Sequence, residues 1–128
     1  MNYYFDKMIN GTFEDVIDKV TQELKVAGFG ILTEIDVTAT LKKKLDVDFK
    51  KYRILGACNP PYAYKALQAE EKIGTMLPCN VIVQEVAAGV IEVAAVNPLA
   101  SMQAVENKEL EKIANEIRLK LEKVIENI

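Results

Sequence analysis

Hydrophobic and polar positions along this chain switch between a rhythm of about 2 residues and one of about 3.6, and each switch falls at a glycine, a proline or a capping residue. Tyr3 to Ile9 is rich in strand formers and predicts a first strand. Thr12 then offers an N-cap oxygen with Asp15 three residues on, and Phe13, Val16, Ile17, Val20 and Leu24 recur at helical spacing. A helix from Thr12 to Ala27 follows. Gly28 can take the left-handed conformation that closes it, Phe29 supplies the apolar residue that folds back over such a cap, and a second strand runs from Phe29 to Asp36.

Asp36 is a candidate N-cap for a short helix over Thr38 to Leu45, because its carboxylate can accept from the free amides of a first turn. Tyr52 to Cys58 predicts a third strand. Asn59 then caps a helix whose first turn carries Pro60 and Pro61, where a missing amide hydrogen costs little, and which runs to about Glu70 on Ala63, Ala66 and Leu67. Cys79 to Ala87 and Val90 to Val96 are two strands joined at Ala88 and Gly89, a hairpin. Leu110, Ile113, Ala114, Ile117, Leu121, Val124 and Ile125 form one apolar stripe on a closing helix capped by Asn107. The order β-α-β-(α)-β-α-β-β-α predicts an α+β fold: one domain over residues 1–128, with a largely antiparallel sheet of about five strands and helices packed on one face.

Composition narrows the function more than it identifies it. An apolar fraction of 50% with 27% charged residues is that of a globular protein, and no run reaches spanning length, so no membrane is expected. The start has neither the basic nor the long apolar segment of a signal peptide, and the expected location is cytoplasmic. A net charge of -3 argues against nucleic acid. The local exception is the cluster Lys42, Lys43, Lys44, Lys50, Lys51 and Arg53, which reads as a solvated connection balanced by acidic residues. The chain has no histidine, which removes the usual general base and the commonest metal ligand.

Chemistry suggests itself at one place. Both cysteines, Cys58 and Cys79, stand beside an asparagine and one or two prolines at strand ends, and Cys58 directly precedes the positive end of the helix opened by Asn59 and Pro60. If the chain returns at the same rim, the two thiols share an edge of the sheet. Cys58, Asn59, Pro60 and Cys79 are therefore the candidate binding or thiol site. Asp36 joins them because a metal would need, beside the two cysteines, carboxylates such as Asp36 or two more thiolates from a second subunit; no metal is assigned, and the cofactor is unknown. Tyr3, Tyr4, Tyr52, Tyr62 and Tyr64 suit a sheet edge or an interface with one wet side.

The stretches Ala27 to Val37, Ile54 to Pro60 and Leu77 to Val83 together resemble the bacterial and archaeal domain of unknown function 302, and the resemblance covers essentially the whole chain. It implies a curved antiparallel sheet with helices on one side, often as a homodimer, and brings no established activity, substrate or catalytic set. Some relatives stand beside sulfur-handling or redox domains.

Two function classes follow. The first is a small dimeric binding or interaction module without catalysis of its own, whose small-molecule or protein partner is unknown. The second is a redox, sulfur-handling or metal-binding protein using Cys58 and Cys79. The missing histidine and the absence of a compact cysteine motif favour the first. The homodimer is expected to form through edges that the tyrosine-bearing start and the hairpin Cys79 to Val96 leave uncovered.

Overall fold

Turn and capping residues cut the chain where its hydrophobic rhythm changes. In a computed structural model, which describes residues 1–128, the elements are β1 (Tyr4–Asn10), α1 (Phe13–Val26), β2 (Gly30–Asp36), α2 (Val37–Leu45), β3 (Tyr52–Cys58), α3 (Pro60–Ala69), a 3-10 segment (Glu71–Met76), β4 (Cys79–Ala87), β5 (Val90–Val96), α4 (Pro98–Ser101) and α5 (Lys108–Glu126). Thr12 accepts from the Asp15 amide at 3.2 Å to start α1, and Asp36 accepts from Ala39 at 2.9 Å to start α2. Gly28 ends α1 with φ at +92°, and the Phe29 amide bonds back to the Leu24 carbonyl at 2.8 Å while the ring is buried.

The sheet is antiparallel throughout, in the order β1-β5-β4-β3-β2. β1 and β2 therefore run parallel at opposite edges, and α1 crosses the sheet to connect them. The β4–β5 hairpin lies in the interior, flanked by β3 and β1. This corrects the expectation that the hairpin offers an edge: its main-chain groups are already taken on both sides, and only β1 and β2 have a free one.

One face of the sheet carries the core. Leu55 and Ala57 of β3, Val81 and Val83 of β4, and Ile91, Val93 and Ala95 of β5 are buried against the apolar stripes of α1 and α5. Burying one such side chain is worth about 1.5–3 kcal/mol, against differences of under about 1 kcal/mol in helix propensity, so packing holds these helices in place. Asn107 locks the start of α5 twice, accepting from Leu110 at 3.0 Å and donating to the Ala69 carbonyl at 2.8 Å. At the other end Lys7 of β1 donates to the Ile128 carbonyl at 2.7 Å. No helix is long and apolar enough to cross a membrane.

Candidate functional site

The ends of β3 and β4 lie side by side, with Ala57 opposite Cys79 and Gly56 opposite Asn80. Opposite residues share a face, so Ala57 and Cys79 both turn toward the helices, where both are buried. Cys58 is one residue further along β3 and half-buried. The chain leaves that strand end straight into α3, and α5 packs against α3. Between these elements remains a cavity of about 350 Å³.

The hollow exists because so much of its wall is small. Ala57, Ala63, Ala66, Gly74 and Ala114 leave space where larger side chains would close it, and Phe29, Leu77, Ile113 and Ile117 line the rest. Leu32 and Leu67, which are 67% and 43% exposed, mark where it meets solvent. Cys58, Asn59 and Cys79 all border it. Three residues singled out by sequence are thus brought to one concave surface.

Asn59 behaves differently from the expected cap. It occupies the N-cap position of α3, yet its side chain makes no capping hydrogen bond. Pro60 and Pro61 have no amide hydrogen, which leaves the Tyr62 amide at the third helical residue for a cap oxygen, and Asn59 does not take it. The side chain stands instead against Gly28, with Nδ2 3.2 Å from where a β-carbon there would lie. Asn59 is only 9% exposed, and its side-chain amide is free of any capping bond to α3. It is the polar group of an otherwise apolar cavity.

The thiols are held protonated. Burial pushes Cys79 up to about 11, and the neighbouring Cys58 adds to that by charge repulsion. Burial also raises Cys58. The positive end of α3 was expected to lower the Cys58 thiol; desolvation acts in the opposite direction and prevails.

Asp36 and Pro60 stand apart from this group. On β2, Gly30 is opposite Cys58 and Asp36 opposite Arg53, which puts Asp36 about 20 Å up the strand. There it caps α2 and, with Glu34, holds the Arg53 guanidinium at 3.5 and 2.9 Å. Pro60 heads α3 on the surface, and Pro78 is the wall proline in its place. No group of three or more cysteine, aspartate or glutamate side chains is placed to hold a metal ion. The lysine-rich segment is balanced as expected: Lys42 pairs with Asp46 and Asp48, both at 3.2 Å, and Lys51 with Glu14 at 3.4 Å.

The wall residues from α5 and Phe29 escaped sequence reasoning, since each reads as ordinary core. Pro78 carried a signal, its place beside Cys79.

The family model of the domain of unknown function DUF302 matches residues 5–128. Among solved structures, the chain is similar to the crystal structure of an uncharacterized conserved DUF302 protein from Bacillus stearothermophilus, with 25% identity, a TM-score of 0.90 and 98% of both chains covered. No protein with a curated description matches.

Proposed function

The chain belongs to the DUF302 family, and from its cavity we propose that it is a small-molecule-binding domain, without catalysis of its own, that works in the cytoplasm as a homodimer. The observation that carries the reading is the hollow itself, about 350 Å³ of almost wholly apolar wall in which Asn59 is the polar side chain and makes no capping hydrogen bond. A hydrogen bond from the Asn59 amide to a ligand would add a net contribution of about 0.5–1.5 kcal/mol and fix its orientation. The volume falls in the range of small-molecule sites, roughly 300–1,000 Å³. The ligand is accordingly a small apolar molecule with one polar group.

Thiol chemistry is the weaker reading. A thiol raised to about 11 is almost wholly protonated near neutral pH, and the thiolate is the reactive form. Cys58 and Cys79 serve here as wall. For the dimer, support comes from β1, whose outer edge is uncovered and next to which Tyr3 and Met8 are 71% and 56% exposed.

The test is a titration with the apolar fluorophore N-phenyl-1-naphthylamine. Wild-type protein should bind it with one site per chain, and Ala63→Leu, which fills the cavity from α3, should weaken binding at least about tenfold, or 1.4 kcal/mol. Equal binding by both proteins, with Ala63→Leu folded, would overturn the cavity as the site.

A further inference from the structure

The helix-free face of the sheet carries charge of one sign. Register places Tyr52, Gln84, Glu92 and Met8 in one row across it, and Ile35, Ile54, Ile82, Ala94 and Asp6 in the next. Both rows are free of lysine and arginine. Asp6 and Glu92 are their only charges, and neither takes part in any of the chain's ion pairs.

Over this face lies a groove of about 460 Å³, walled by Tyr3, Tyr4 and Tyr52 and floored by Ile82 and Ala94, with Glu92 in its lining. The Tyr3 and Tyr4 rings meet edge to face, with centroids 4.8 Å apart. Glu92 is half-buried, and the Gln84 amide nitrogen donates to its Oε1 at 2.7 Å. That bond fixes the orientation of the Gln84 amide and leaves the amide's own oxygen buried and without a partner. The charge on Glu92 is strong enough at this surface to help raise the Tyr52 hydroxyl, after burial.

We propose that the groove binds an organic cation: an ammonium group, quaternary or primary, on a small apolar body. Aromatic faces attract cations through their quadrupoles, and a carboxylate without a counter-ion supplies the formal charge. A primary ammonium would in addition offer hydrogen to the unpartnered Gln84 oxygen. The isoleucine row extends the floor for the apolar part. A second copy of this chain fits the same face poorly, because a two-fold contact would bury Asp6 and Glu92 of both copies with no lysine or arginine in these rows to pair with them. The site is independent of the thiol cavity, which lies on the other face of the sheet.

The experiment compares choline with its uncharged isostere 3,3-dimethyl-1-butanol, read by backbone amide shifts in the full chain. Choline should move the signals of Tyr52, Glu92 and Ala94, and the neutral isostere should bind at least about tenfold more weakly. Glu92→Gln should lose about tenfold in choline affinity with its melting temperature kept. Equal binding of the isostere, or choline binding unchanged in folded Glu92→Gln, would overturn the proposal. So would the absence of choline shifts, or shifts that emerge only on dilution to monomer, which would give the face to a second copy.

Discussion

The Asn59 amide occupies the space beside Gly28 that a larger residue would need: a β-carbon on Gly28 would lie 3.2 Å from Asn59 Nδ2. The helix stop of α1 and the polar group of the cavity are therefore fitted to one another. Gly28 also sits at φ +92°, where L side chains are strained. Gly28→Ala should cost about 1–3 kcal/mol in denaturant unfolding and shift the Asn59 side-chain amide signals. Unchanged amide signals in the variant would separate the two features.

Gly56 makes a second close approach, on the sheet itself. A β-carbon there would collide with Thr33 across the β2–β3 pair and come within 2.7 Å of Pro78 Cγ. Gly56→Ala should destabilise by about 1–3 kcal/mol through overpacking. In a double-mutant cycle, Thr33→Ala should return part of that loss, since it removes one of the two obstacles. Strict additivity would show that Pro78 alone sets the limit.

Thiol titration gives a signed dependence on pH. The ordinary cysteine value, near 9, is raised to about 11 for Cys79 in the folded chain, so the unfolded chain releases its proton first as pH rises. The stabilising contribution is full below about pH 9 and is lost between about 9 and 11, a loss on the order of 2 kcal/mol. Cys79→Ser should flatten this part of the stability profile. Under native conditions at neutral pH, Ellman's reagent should label both cysteines far more slowly than in denaturant; fast native labelling would restore the thiol reading.

The stripe on α5 is structural and forms a wall of the cavity at once. Ile117 is buried, so Ile117→Asp should unfold the domain or lower its melting temperature sharply, whereas Glu116→Lys on the same helix should change it little. A native melting temperature for Ile117→Asp would contradict the placement of α5 over the sheet.

Strand and helix limits were legible wherever a local signal coincided with packing. β3, β4 and β5 run as predicted because Cys58, Cys79, Gly89 and Val96 mark their ends, and α1 and α5 carry uninterrupted apolar stripes. The segments Glu71–Met76 and Pro98–Ser101 were not read, being too short to show a period. Strand order was equally hidden, because it depends on which non-local pairs form, and so the interior place of the hairpin came only with the structure. Of the site, Cys58, Asn59 and Cys79 were visible as chemistry-bearing residues at strand ends. The direction Asn59 takes was not, since it depends on the non-local approach of its side chain to Gly28. Asp36 was grouped with them because sequence shows its charge and conceals the pairing that sets Gly30, and not Asp36, opposite Cys58.

The most direct measurement is the set of nuclear Overhauser contacts between bound N-phenyl-1-naphthylamine and the methyl groups of the labelled protein. Contacts to Met102, Ile113 and Ile117, which line the cavity beside Asn59, are the predicted result. Contacts confined to Ile35, Ile54 and Ile82 on the opposite face of the sheet, or the absence of any contact from the bound probe to the cavity methyls, would contradict it.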